Sequence, residues 1–329
     1  MMATQTSHHG PAAAAYRRAV AVIIPAYNAA AHIGEALESV FAQTFTDYEV
    51  IIVNDGSPDT QELERALEPY RGRIAYLTQA NQGPSAARNA AIREASAEHV
   101  AFLDSDDSWE PHHLAEQMSA LREDPSLDLV YRDALLFGDG VPAGLTFMQA
   151  APSRGPVTFE SLLRFECSII TSCVAARRRS LIEAGLFDPR FYRSEDYDLW
   201  LRLAHRGGRL AYRQGVTARH RVHGGSLAAD MVLMFESQVE VYRKIARELT
   251  LPPQTLRLID EQIRRCRADI AYLEGKRQFE ARRYALAAAS LSAANEFYRS
   301  RKLSVVVAGL RIAPRLLWRL YRLRDRAPA

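Results

Sequence analysis

The chain has 329 residues, 48% hydrophobic and 25% charged, the balance of a globular protein with room for a large core and an appendage. No apolar run approaches the roughly 20 residues that a membrane-spanning helix needs; the longest, LSVVVAGL at 303–310, is far too short. The net charge of +3 is uneven: residues 301–326 carry eight Lys and Arg against one Asp, while the rest is net acidic, which argues against nucleic acid as a partner of the main body.

Residues 1–18 lack the basic start and apolar core of a signal peptide and are expected to be a disordered lead-in. VAVII at 20–24 is a β-branched run stopped by Pro25, the pattern of a buried strand. Ile33, Leu37, Val40 and Phe41 then fall at helical spacing. EVIIV at 49–53 is a second buried strand, ended by the turn cluster NDGSPD, with Leu63 and Leu67 marking a short helix. RIAYLT at 73–78 is a third strand, SAARNAAIREA at 85–95 a helix of small residues, and HVAFL at 99–103 a fourth strand. Leu114, Met118 and Leu121 carry the next helix, and LDLVY at 127–131 a fifth strand. Beyond 136 regularity is lost: GDGVPAGL (138–145) and APSRGP (151–156) read as loops, and 186–208 as a loop running into a helix that Gly207 and Gly208 end. After 230 the pattern is helical, with an αα-hairpin over 254–298. Cys167, Cys173 and Cys266 form no CxxC pair and no even-numbered framework, the usage of a reducing compartment, so a cytoplasmic location is expected.

Strands alternating with helices predict a parallel, doubly wound α/β sheet, and continuous apolar runs fit strands buried on both faces. Ligands bind such sheets outside the carboxyl ends of the strands. Three polar clusters stand there, PAYN (25–28), NDGS (54–57) and DSDD (104–107), and are expected to converge. The first strand leads into no GxGxxG and the chain holds no GxxxxGK[ST], so a Rossmann dinucleotide site or a P-loop is not expected.

Tyr27 is placed either to stack on a base or to pack between strand and helix. Asp55 either accepts from a base N–H or makes an Asx turn. Arg88 holds Asp55 or Asp104, faces a phosphate, or forms a surface ion pair. Asp104, Asp106 and Asp107 repel one another, and either a helix N-terminus near Pro111 or a divalent cation relieves them. A cation bound with a diphosphate suits hard carboxylate donors, and on an extended segment Asp104 and Asp106 point the same way, one toward a sugar and one toward the metal. Glu195 and Asp196 open a helix where a carboxylate can take a proton from a hydroxyl, or simply cap. His220 and His223, in ARHRVHGGSLA, could complete a metal shell or meet the diphosphate.

These pieces together resemble a family 2 glycosyltransferase of GT-A fold. VIIPAYN (22–28), EALESVFAQTF (35–45), YEVIIVNDGSPD (48–59), NQGPSAARNAAI (81–92) and VAFLDSDDSWEPHHL (100–114) stand in family order, followed by GLFDPRF (185–191), SEDYDLWLRL (194–203) and RVHGGSL (221–227). The resemblance implies a GT-A domain over 19–230, with a nucleotide-binding half (19–131) and an acceptor half (132–230), and a helical region over 231–329. It implies that Pro25, Ala26 and Tyr27 line the nucleobase pocket and that Asp55 binds the base. Arg88, Asp104, Ser105 and Asp106 would complete the nucleotide-sugar site, with Asp106, Asp104 and His223 holding Mg²⁺ or Mn²⁺. Asp196 would be the catalytic base of an inverting transfer from a nucleoside-diphosphate sugar, a UDP-sugar by family habit, to a hydroxyl acceptor in cell-surface polysaccharide or glycolipid assembly. Asn54 departs from the family, which has an Asp there. The alternative is a catalytically inactive nucleotide-sugar-binding or scaffold protein of the same fold.

The tail IAPRLLWRLYRLRDR (312–326) predicts one more helix. Arg315, Arg319, Arg322 and Arg326 form a basic stripe, and Leu316, Leu320 and Leu323, widened by Leu317 and Tyr321 with Trp318, an apolar one. That is the pattern of a helix lying on an anionic membrane and bringing the site to a lipid-linked acceptor; docking on the chain's own helices or on a second subunit, as a homodimer, is the other reading.

Overall fold

The strands expected in the first half are all present. A computed structural model describes residues 18–225 and 229–324. The chain divides between residues 229 and 230 into two units. Most of the lead-in, and Arg326 in the tail, lie outside the described residues.

The first unit begins β1 (Val20–Ala26), α1 (Ile33–Phe41), β2 (Tyr48–Asp55), α2 (Thr60–Leu67), β3 (Ala75–Gln79), α3 (Pro84–Glu94) and β4 (His99–Phe102). β3, β2, β1 and β4 lie side by side and parallel. Val20, Val22, Ile24, Val50 and Ile52 pack into a core with Ile33, Leu37, Leu63 and Leu114. The intervening Ala21, Ile23, Ile51 and Phe102 are buried as well. Both faces of β1, β2 and β4 are covered, which is why these three strands read as unbroken apolar runs, while β3 lies at the edge with its side chains partly or fully exposed.

The second half of the sheet departs from the expected pattern. After β5 (Ser108–Trp109) and α4 (His113–Glu123) come β6 (Leu129–Gly138), the short helices α5 (Phe147–Ala150) and α6 (Phe159–Leu163), β7 (Val174–Arg177), α7 (Arg178–Glu183), α8 (Glu195–His205) and β8 (Leu210–Val222). The strand order is β3-β2-β1-β4-β7-β6-β8-β5. β7 runs antiparallel between β4 and β6, β6 pairs parallel with β8, and β5 pairs antiparallel with β8. The mostly parallel sheet is therefore mixed at one end. β5, β7 and β8 escaped the sequence reading for physical reasons. β5 and β7 are too short to show a period. β8, LAYRQGVTARHRV, is largely solvent-facing and slips register against β6, with Gly215 at φ +124°, so no alternation of apolar and polar residues survives. α4 starts at His113 with no side-chain cap, so Asp106 to Ser108 do not cap it.

The second unit consists of α9 (Met231–Glu248), α10 (Pro253–Glu280), α11 (Tyr284–Tyr298), α12 (Arg301–Ile312) and α13 (Pro314–Arg324). α10 and α11 form the expected hairpin. Gly275 permits their close approach, since a Cβ there would stand 2.7 Å from Cγ of Leu291. Among the described residues no helix is long and apolar enough to cross a membrane.

Candidate active site

The three strand ends converge on a cleft of about 590 Å³. Pro25, Ala26 and Tyr27 line it from β1, Asp55 from β2, Arg88 from α3, Asp104, Ser105 and Asp106 from the turn after β4, and His220 and His223 from the far end of β8. Every residue expected in the nucleotide-sugar site is on this wall. Asp196 is not among the lining residues.

Tyr27 is 46% exposed, so it is not packed between strand and helix; its ring is open to a stacking partner. The loop carrying it is braced by the next strand end. The Asn28 N–H donates to Oγ of Ser57 at 2.6 Å and the Ala30 N–H to Oδ2 of Asp59 at 2.8 Å. The local side-chain bond of this turn comes from Asn54, not from Asp55: Oδ1 of Asn54 accepts from the Ser57 N–H, three residues on, at 2.9 Å. Its amide also donates to Oγ1 of Thr60 and to the Tyr76 hydroxyl, at 3.0 and 2.9 Å. An aspartate at 54 would have no N–H to give, so the departure from the family pattern has a local use. Asp55 is buried and ties β2 to the loop before α3. Its carboxylate accepts from Nε2 of Gln79 at 2.7 Å, the Gln82 N–H at 2.9 Å and the Gly83 N–H at 2.7 Å. A carboxylate has about four lone-pair sites, so one is left for a further donor.

Arg88 is only 5% exposed, which rules out a surface ion pair. One terminal nitrogen donates to Oδ1 of Asp104 and the other to Oε1 of Glu195, both at 2.7 Å. Burial alone would lower its pKa; Asp104 and Glu195 more than offset that and hold the guanidinium charged. Burial pushes Glu195 up to about 7, opposed by Arg88 and assisted by Asp196. Arg88 thus fastens the start of α8 to the acidic turn.

That turn is not extended, contrary to expectation. The Asp107 N–H donates to the Asp104 carbonyl at 3.1 Å, closing residues 104–107 on themselves. Asp104 and Asp106 consequently take different partners rather than pointing together. Asp106 meets His223, with Oδ2 and Nε2 2.9 Å apart. Nδ1 of His223 accepts from the Gly225 N–H at 3.2 Å, so Nε2 carries the proton and donates to Asp106. His223 must exchange these bonds to ligate a metal. Among the described residues, no three His, Cys, Asp or Glu side chains gather closely enough to hold a metal alone. The third acid, Asp107, is 1% exposed and knots three segments together. It accepts from the Ser172 hydroxyl at 2.6 Å, meets Nδ1 of His220 at 2.9 Å and accepts from the Arg221 N–H at 2.8 Å. Burial works against a charge on His220, but Asp107, with Asp104 and Asp106 adding, lifts it to about 9.

Asp196 sits half-buried in the first turn of α8. It accepts from the Thr171 hydroxyl and from the Tyr197 N–H, both at 2.7 Å. Ser194, just before this helix, has φ +56° and a buried hydroxyl with no hydrogen-bond partner. Asp198 is fully buried and paired with Arg202 at 2.7 Å. Ser172, Thr171 and Tyr192, which also lines the cleft, were not anticipated. Tyr192 had a signal, an aromatic two residues ahead of SED; Ser172 and Thr171 had none.

A family model described as glycosyl transferase family 2 matches residues 21–185. The chain belongs to glycosyltransferase family 2. Its most similar relatives include the amylovoran biosynthesis glycosyltransferase AmsB of Erwinia amylovora, 31% identical over 193 residues, 55% of this chain and 62% of AmsB. For some curated relatives the match spans only about a third of their own length. Among solved structures, S. aureus TarS (residues 1–349) aligns with a TM-score of 0.59 at 18% identity, covering 89% of this chain and 87% of that one. The mannosyltransferase PcManGT of Pyrobaculum calidifontis, in complex with GDP-Man and Mn²⁺, aligns with a TM-score of 0.60 at 21% identity, covering 93% and 83%. The fold is the GT-A arrangement.

Proposed function

We propose that this chain is an inverting, metal-dependent glycosyltransferase that moves a sugar from a nucleoside-diphosphate sugar to a hydroxyl acceptor during cell-surface polysaccharide or glycolipid assembly. The observation that carries the reading is the single cleft: all eight expected nucleotide-sugar residues line it, and Arg88 fastens it to the helix that bears Asp196. Tyr27 stacks on the base, Asp55 shapes the base pocket, and Asp196 takes the proton of the acceptor hydroxyl. Asp106 and the oxygen of Asp104 turned away from Arg88 form a hard donor set that suits Mg²⁺ or Mn²⁺ completed by substrate phosphates. When bound, the ion offsets the negative charge that develops on the departing diphosphate. TarS has been solved with UDP and with UDP-GlcNAc, and PcManGT with GDP-Man and Mn²⁺, which supports a nucleotide-sugar donor; a UDP-sugar is our first choice. Donor hydrolysis across a panel of nucleotide sugars, with Mg²⁺, with Mn²⁺ and with EDTA, tests the reading. Turnover of one donor class with metal is expected. Tight nucleotide binding with no turnover of any donor would favour the inactive binding protein.

We place an anionic membrane surface against the tail, with a lipid-linked acceptor, but through a narrower face than the sequence suggested. Within the second unit Trp318 and Tyr321 pack edge-on against Phe279, at 5.2 and 5.3 Å between ring centroids, and Leu317 joins the small core of Ala287, Leu291, Val307 and Leu310. Those three side chains serve the chain's own packing. Ile312, Leu316 and Leu320 remain exposed, at 84, 57 and 55%, among Arg311, Arg315, Arg319 and Arg322. Each arginine near an anionic leaflet contributes about 1 kcal/mol. Co-sedimentation with anionic liposomes at low salt is expected for the full chain and strongly reduced for the Leu316→Asp, Leu320→Asp double variant. Equal sedimentation of the two would exclude this face.

A further inference from the structure

Rings on the wall of the cleft, His220 among them, have no part in the scheme above. His220, near the end of β8, lines the cleft beside Asp104, Ser105 and Asp106. Its Nδ1 is committed to Oδ2 of Asp107 at 2.9 Å. Asp107 cannot swing away: it is 1% exposed and held at the same time by the Ser172 hydroxyl and the Arg221 N–H. The ring is therefore fixed in orientation, and Nε2 is the edge left to meet a ligand.

Two other donors of the wall are already engaged. Arg88 gives both terminal nitrogens to Asp104 and Glu195, and His223 gives its proton to Asp106. A diphosphate carries more negative charge than this wall has yet been matched with, and its oxygens accept hydrogen bonds only. Resting on the nucleotide-sugar reading of the cleft, we propose that His220, oriented by Asp107, donates from Nε2 to the diphosphate of the bound nucleotide. A carboxylate behind an imidazole favours the doubly protonated ring that such a donor needs, and the raised pKa of His220 agrees with it. Because the ring is held before the nucleotide arrives, little rotamer freedom is lost on contact. No bond is made or broken by His220; it binds the group that leaves.

The test is equilibrium binding of UDP and GDP, and of uridine and guanosine, to the full chain and to its His220→Gln and His220→Ala variants, each in EDTA and in Mn²⁺. Hydrogen bonds to charged groups are worth about 10- to 100-fold in affinity. The variants are expected to lose about that much for the diphosphate, in both media, with nucleoside affinity unchanged. The comparison separates this role from a folding defect, which would lower nucleoside and nucleotide affinity together. Gln retains an N–H for Asp107 if Ala proves too disruptive. Unchanged diphosphate affinity overturns the proposal. So does a loss confined to Mn²⁺, which would make His220 a metal ligand backed by a carboxylate. Failure of the unsubstituted chain to bind either nucleotide would instead remove the reading of the cleft, and this inference with it.

Discussion

Asp196→Asn is expected to lower sugar transfer by about 10²-fold or more while nucleotide binding survives. The substitution keeps the shape of the side chain and one accepting oxygen. It removes the charge and the capacity to take a proton, and with one oxygen in place of two it can accept from the Thr171 hydroxyl or from the Tyr197 N–H but not from both. The neighbouring acids are poorly placed to substitute. Glu195 is buried against Arg88, and Asp198 is fully buried against Arg202. Steady-state turnover of the donor identified by the panel, with kcat and KM measured separately, checks the prediction. A kcat within a factor of a few of the unsubstituted chain would show that Asp196 is not the base and would move attention to Glu195.

Asp106→Ala is expected to cost about 10³-fold in metal-dependent donor turnover, the scale of several kcal/mol of lost charge stabilisation. The fold should be unaffected. The Asp106 side chain is 28% exposed and its contact is with His223, itself partly exposed, so the pair adds at most about 1 kcal/mol to stability. Asp104 is a poorer place for this test, because removing it also frees one arm of the buried Arg88 and leaves a charged group half-paired. The measurement is donor turnover against Mn²⁺ concentration, alongside thermal unfolding of both proteins. Turnover of the unsubstituted chain that persists unchanged in EDTA would remove the metal from the scheme, and with it the role given to Asp106.

The sequence alone determined the first half of the sheet and the address of the site. Strands covered on both faces must be continuously apolar, so β1, β2 and β4 announced themselves, and the polar clusters that stop them could lie only at the carboxyl edge. Which side chains meet there is a different kind of fact. Arg88 and Glu195 are 107 residues apart and His220 and Asp107 are 113 apart, and no local pattern encodes either pairing. They depend on β7 and β8 closing the sheet. One of those strands is too short, and the other too solvent-facing and irregular, to carry a periodic signal. The same limit applies to the acidic turn. Three carboxylates in four residues promised a neutralising partner, yet only the folded chain assigns Asp104 to an arginine, Asp106 to one histidine and buried Asp107 to another. In the tail, helical spacing predicted an amphipathic helix, but Leu317, Trp318 and Tyr321 look outward in sequence and pack inward in the structure. A helix's apolar stripe shows that something will cover it; what covers it is settled by the aromatic and aliphatic surface that Phe279 and its neighbours present.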